Sequence, residues 1–220
     1  PKQYVAKQTH NMTPGGREIF LEEFEKWRQL EHPHCIKVIE LVDGKDYVDG
    51  QLKDQIFVIS ELAKGGDLFH YVREMVESGC AIDEKWIAEV FRQAMQGVAY
   101  MHAKNVVHND LKPDNILVMD QFEKALPGEE EPVPTVKVSD FGCATLNHDT
   151  DFSWGDPRYQ SPETWKYIVQ VLEKKRNPQH IYKMSPKADV WSLGVTLFEL
   201  LSGGKIPFLY EHASLNDILD

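Results

Sequence analysis

The chain has 220 residues, 42% hydrophobic and 27% charged, the make-up of a folded protein of one or two domains. Its formal charge of −11 argues against non-specific nucleic-acid binding and leaves room for basic peptide partners. No apolar run reaches membrane-span length, no signal peptide is visible, and Cys35, Cys80 and Cys143 lack metal-ligand spacing, so the expectation is an intracellular protein, cytoplasmic or nuclear, with reduced thiols.

In chain order, residues 3–7 (QYVAK) read as a strand with Val5 and Lys7 on one face. Residues 13–32 read as a helix opened by Thr13 and Pro14, with Phe20, Phe24, Trp27 and Leu30 as its apolar stripe. Glu23 falls inside that stripe, where a carboxylate needs a partner. Strands at 35–42 and 55–62 follow, joined by the turn-rich, acidic DGKDYVDGQLKD. That connection fails as a calcium loop: with Gly50 at the sixth position, Lys45 and Tyr47 would be the first and third ligands.

The character then changes to helices, at 67–78 and 83–104, both with amphipathic periodicity. The loop HNDLKPDN (108–115) leads into a short strand, ILVM, and TVKVSDFG (135–142) supplies another. Between them DQFEKALPGEEEPVP reads as a surface loop. The stretch 189–201 (DVWSLGVTLFELL) is apolar nearly all round, which predicts a helix buried inside its domain. A strand-rich part, a helical part and motifs at their junction predict a two-lobed α+β enzyme with a cleft.

Two stretches carry chemistry. Asp110 offers a base for a hydroxyl proton, and Lys112 a cation for a transferring anionic group. Asn115 and Asp140 offer the oxygen ligands that Mg²⁺ prefers. Base, cation and metal ligands together are what phosphoryl transfer requires, since that reaction needs positioning and charge neutralisation. Either stretch alone would be a turn with satisfied Asp side chains; their conjunction argues against that.

Taken in order, YVAK, FLEEFEKWRQLEHP, HNDLKPDN, SDFG, GDPRYQSPE, ADVWSLG and SGGKIPF resemble the catalytic domain of eukaryotic protein kinases. The lysine in DLKPDN resembles the serine/threonine branch, and GGDLF the calcium/calmodulin-type group. The resemblance implies a small antiparallel sheet lobe with one helix over 1–62 and a larger, mainly helical lobe over 63–220. It also implies a serine/threonine protein kinase using ATP and Mg²⁺ on a protein or peptide hydroxyl, with no nucleic-acid or membrane partner. The glycine-rich loop and the last helices of the family's pattern are not within these residues, which implies an intact protein longer at both ends. Calcium or calmodulin control would act only through segments outside this chain.

The same resemblance assigns roles. Lys7 would hold the α- and β-phosphates of ATP and pair with Glu23. Asp110 and Lys112 would be catalytic, with Asn115 and Asp140 on the metal. Val5 and Leu117 would sandwich adenine, Glu61 and Ala63 would present backbone groups to it, and Ser60 would gate the space behind it. Asp67 is grouped with these nucleotide-side residues and, with Asp114, can face basic residues of a substrate. Asp189 would anchor the catalytic loop.

Two positions depart from the pattern. Asn109 stands where many members carry an arginine that grips a phosphate on the activation segment. Activity is therefore expected not to depend on phosphorylating Thr145, Thr150 or Ser153. Asp156 replaces a threonine whose hydroxyl steadies the catalytic acid, and a second carboxylate there is expected to raise a pKa or repel the substrate anion. That departure supports the alternative of a pseudokinase, a nucleotide-binding or scaffolding module.

Overall fold

The structure is a computed structural model, and it describes residues 2–8, 21, 24–25, 27–48, 51–146, 155–172 and 185–207. The first strand, β1 (Tyr4–Gln8), lies against β3 (Gln51–Glu61), which pairs on its other side with β2 (Val38–Val48). All pairings are antiparallel. The register sets Val5 opposite Ser60 and Lys7 opposite Val58, so alternate residues of β1 and β3 share one face. The sequence predicts that β2 and β3 end near an acidic turn. Instead the ladder runs on through Asp43–Lys45 and Gln55 to Val48 opposite Gln51. Asp43 and Lys45 are exposed side chains on paired backbone, a combination that turn composition alone cannot separate from a loop.

Of the helix expected at 13–32, residues 21, 24–25 and 27–28 are described and helical. Phe24, Trp27 and Leu30 are buried, as the stripe predicts. Phe20 and Glu23 lie outside the described residues. The buried side chains pack with Cys35, Ile36, Phe91, Met101, Val138 and Phe141 into one core. Cys35 donates to the carbonyl of Gly97, and burial pushes its thiol pKa up to about 12. Gly97 is required by close approach: a Cβ there would lie 2.3 Å from the carbonyl oxygen of His34.

Helix α1 (Leu68–Glu77) is capped by Asp67, whose carboxylate accepts from the His70 N–H. Helix α2 (Glu84–Ala103) is capped in the same way by Asp83. Beneath them lie two short antiparallel pairs, β4 (Val106–Val107) with β7 (Thr145–Leu146), and β5 (Ile116–Val118) with β6 (Val136–Val138). Helix α3 (Pro162–Leu172) precedes α4 (Pro186–Ser202), which starts at a Ser185 cap and ends at Gly203 in the left-handed region.

Helix α4 corrects the expectation of burial all round. Ala188, Asp189, Ser192, Leu193, Val195, Thr196 and Glu199 are buried, whereas Val190, Phe198 and Leu201 are 62%, 47% and 54% exposed. The inward face mixes apolar and hydrogen-bonding side chains. Ser192 donates to the carbonyl of Tyr159, and the Tyr159 hydroxyl donates to Glu199 at 2.6 Å. An apolar count cannot reveal which face a helix turns inward when the buried face serves hydrogen bonds.

Candidate active site

A cavity of about 560 Å³ lies between the sheet and the helices. Val5, Val38, Val58, Ser60, Ala63 and Leu117 line it, together with Lys7, Glu61, Asp114, Asn115 and Asp140. The register of β1, β2 and β3 explains the first group. Val5, Ser60 and Val38 are cross-strand neighbours, and Lys7 and Val58 are the next pair on the same face.

Residues remote in sequence meet at this cavity. Lys7 Nζ lies 2.7 Å from Asp140 Oδ2. Asp140 sits in the left-handed region at φ 59°, a conformation uncommon outside glycine that turns its carboxylate toward the lysine. Burial raises the pKa of the Asp140 carboxyl, but the hydrogen bond and charge of Lys7 and the N–H of Gly142 outweigh it, leaving it below the ordinary aspartate value. Phe141 is buried between Trp27 and His108, with ring centroids at 6.4 and 5.9 Å. Glu23 lies outside the described residues, and its pairing with Lys7 with it.

The catalytic-loop candidates are fixed by an unusually complete set of partners. Asp189 is fully buried and accepts from the backbone N–H of His108 (2.8 Å) and Asn109 (2.9 Å), and from His102 Nε2 (2.8 Å). His108 Nδ1 accepts from the Asp110 N–H, so Nε2 carries the ring proton and donates to the carbonyl of Ser139. Asn115 Nδ2 donates to both the carbonyl and Oδ2 of Asp110, at 2.7 and 2.8 Å. The Asn115 carbonyl oxygen is thereby left as the ligand end of its amide. Lys112 Nζ is 3.4 Å from Asp110 Oδ2.

Asn109 answers the missing arginine with a short neutral tether. Its Nδ2 donates to the Cys143 carbonyl at 2.8 Å and to Thr145 Oγ1 at 2.9 Å, joining the loop to the segment after Asp140. Its backbone is left-handed at φ 66°, and its Oδ1 is buried with no hydrogen-bond partner among the described residues. Leaving a buried acceptor unpaired costs about 1–3 kcal/mol, so the amide is held for its donor end. Thr150 and Ser153 lie outside the described residues.

Asp156 does not behave as the sequence predicts. Its backbone N–H donates to Asp110 Oδ1 at 2.6 Å. Its carboxylate is forked by Arg158, Nε to Oδ1 at 3.0 Å and Nη2 to Oδ2 at 2.7 Å. Lys112 Nζ stands 3.7 Å from Oδ2. Burial raises the Asp156 pKa, but the Arg158 hydrogen bonds and charge, with Lys112, take it below the ordinary value. The carboxylate is an ion-paired one, its charge balanced by Arg158 and Lys112. Gly155 allows this approach, since a Cβ there would lie 2.3 Å from the Asn109 carbonyl oxygen and 2.7 Å from Asp110 Oδ1.

Sequence reasoning missed three partners. Arg158 carried a legible signal, because Asp-Pro-Arg in a Pro-fixed turn brings the first and third side chains together. Lys137, which pairs with the Glu61 carboxylate at 2.7 Å, and Glu199 carried none. Asp67 does not line the cavity; its carboxylate is taken by α1 capping and by His70 Nδ1 at 2.8 Å.

The donor set fits a nucleotide with a hard cation: an apolar slot, a lysine at its mouth, one carboxylate and one amide oxygen. Among the described residues no cluster of three or more His, Cys, Asp or Glu could hold a metal alone. Phosphate oxygens would have to complete the shell, as they do in nucleotide-dependent enzymes. A family profile described as the protein kinase domain matches residues 2–218. The chain belongs to the protein kinase domain family. Enzymes of this family generally use ATP and Mg²⁺.

This kinase domain is 33% identical over 197 residues to the SNF1-related protein kinase catalytic subunit alpha KIN12 of Arabidopsis thaliana, covering 88% of the chain and 32% of that protein. It is 34% identical over 189 residues to the serine/threonine protein kinase OSK3 of Oryza sativa subsp. indica, covering 84% and 30%. The chain thus spans about a third of the length of these curated relatives. Among the described residues no helix is long and apolar enough to cross a membrane.

Proposed function

We propose that this chain is the catalytic domain of an intracellular serine/threonine protein kinase, transferring the γ-phosphoryl group of Mg·ATP to a protein hydroxyl. The observation that carries the reading is the meeting of Lys7 and Asp140 at 2.7 Å on a cavity that Asn115 also lines, with Asp110 bonded directly to Asn115. The names of the relatives support the serine/threonine assignment. The GGDLF stretch supports a place near the calcium/calmodulin-type group within it. The reading divides the chain into a sheet lobe over 1–62 and a helical lobe over 63–220, with the cavity between them.

In this reading Lys7 binds the α- and β-phosphates, and Asn115 and Asp140 would hold Mg²⁺, which neutralises phosphate charge when bound. Val5 and Leu117 flank adenine, while Glu61 and Ala63 meet its edge through backbone groups. Asp110 takes the hydroxyl proton, and it is oriented for this from both sides, by the Asp156 N–H on Oδ1 and by Asn115 on Oδ2. Lys112 supplies positive charge beside that carboxylate. Basic peptides are the favoured substrates. Asp114 supports this, being exposed and on the cavity, whereas the bonded Asp67 adds little.

The test is phosphate transfer from labelled ATP to a basic peptide library by the full-length protein. Turnover onto Ser or Thr upholds the enzyme; tight Mg·ATP binding without turnover would leave the scaffold reading instead. Activity is expected to survive phosphatase treatment, because Asn109 makes its tether through a neutral amide and not a phosphate grip. Loss of nearly all turnover on dephosphorylation would sink that part. Ser60, small and on the cavity wall, is expected to admit ATP-competitive inhibitors with bulky groups behind adenine. Ser60→Met should weaken such an inhibitor by roughly tenfold or more through overpacking, and an unchanged inhibition constant would displace Ser60 from that role.

A further inference from the structure

We propose that Asp156 and Arg158 are positioning residues for Asp110 and Lys112, with Arg158 holding the extra carboxylate so that it does not capture the lysine. The inference rests on the kinase reading and concerns the departure that made that reading doubtful. Four charges from two separate turns of the chain meet here, two carboxylates and two cations. Lys112 lies between the acids, 3.4 Å from Asp110 and 3.7 Å from Asp156. Both oxygens of each acid are occupied, but Asp110 is held by neutral donors, the Asp156 N–H and Asn115, whereas Asp156 is held by the charged, bidentate fork of Arg158.

Without Arg158, Lys112 would face two ionised acids alone. The Asp156 side chain is 14% exposed, so water screens it weakly and its pull on Lys112 is strong. The lysine would then lean away from Asp110 and from the cavity beyond it. The turn also controls Asp110 directly, because the Asp156 N–H donates to Asp110 Oδ1 and Gly155 is wedged against the Asn109 carbonyl. A threonine at 156 would bring a neutral hydroxyl and need no arginine. Asp156 and Arg158 therefore belong together as one exchange of a hydroxyl for an ion pair. The plainer account is that Arg158 only steadies its own 3₁₀ turn, where its guanidinium lies 5.6 Å from the Tyr159 ring centroid.

A rescue experiment in the full-length protein separates the two. Arg158→Ala, Arg158→Lys, Asp156→Thr and the Asp156→Thr/Arg158→Ala double variant are compared for kcat, peptide KM and calorimetric Mg·ATP affinity. Arg158→Ala should lower kcat about tenfold, the size of coupling typical of neighbouring charges, leave peptide KM near its starting value, and weaken Mg·ATP several-fold. Arg158→Lys should recover part of both. The double variant should return both toward the parent, since no extra carboxylate remains to be neutralised. A double variant as impaired as Arg158→Ala, a change in peptide KM alone, or no change at all would overturn the pairing. If the parent binds Mg·ATP without turnover, the kinase reading falls by itself and the affinity comparison still decides the pairing. If none of the proteins binds Mg·ATP, both fall.

Discussion

If Asp110 is the general base proposed, Asp110→Asn is expected to lower kcat by roughly 10²–10⁴-fold, the range lost when a positioned general base is removed, while Mg·ATP affinity changes little. An amide cannot take the hydroxyl proton, and it disturbs its surroundings in a defined way. In the parent, Asp110 Oδ1 accepts from the Asp156 N–H and Oδ2 accepts from Asn115 Nδ2. Asparagine can keep only one of these, because its NH₂ end must then face a second donor. Lys112 at 3.4 Å from Oδ2 loses its nearest anion at the same time. Lys7 and Asp140 do not touch the substituted atoms, and Asn115 keeps its bond to the Asp110 backbone carbonyl, so binding and turnover separate. Single-turnover kinetics beside calorimetry would read both. A variant retaining kcat within about tenfold of the parent would take the base role away from Asp110.

The parts of this fold that sequence made legible are those governed by periodicity and short-range chemistry. The Val5–Lys7 face follows from strand alternation, and the buried Phe24–Trp27–Leu30 stripe from helical spacing. Asp67 and Asp83 cap helices where the apolar periodicity begins. Asp110, Lys112 and Asn115 are close in space because they are close in sequence and a 3₁₀ turn at Pro113–Asn115 folds them back. What stayed illegible depends on where the backbone travels between elements. The Tyr159–Glu199 and Glu61–Lys137 pairs join strands and helices whose register no local pattern sets. The length of the β2–β3 ladder and the outward face of α4 were misjudged for a related reason. Composition describes side chains one at a time, whereas burial is a property of the assembled neighbours.

Asp156 shows the same limit in a charged setting. Read as a residue type beside Asp110, a carboxylate predicts repulsion. Its actual state depends on the Arg158 fork, which outweighs the cost of desolvation and keeps the group ionised below its ordinary pKa. A like-charge argument made from sequence holds only after every cation within reach has been counted.

Asp189→Ala should destabilise the protein by about 3–5 kcal/mol, read as a lower urea midpoint at unchanged slope. The size follows from what the carboxylate holds. It is fully buried and accepts from two backbone N–H groups and one imidazole, and each buried donor left without a partner costs about 1–3 kcal/mol. Nothing else among the described residues is bonded to the His108 and Asn109 N–H groups, and water would have to enter the core to replace it. Asp189→Asn should lose less, because one carboxamide oxygen can still serve one N–H while its NH₂ end opposes another. The two variants should also differ in turnover in the same order. The left-handed backbone of Asn109 is held open by its N–H bond to Asp189, and relaxing it would swing Asp110 away from Asn115. A stable Asp189→Ala protein with parent-like kcat would mean that the catalytic loop is held by its side-chain tethers, Asn109 to Cys143 and Thr145, and not from beneath by α4.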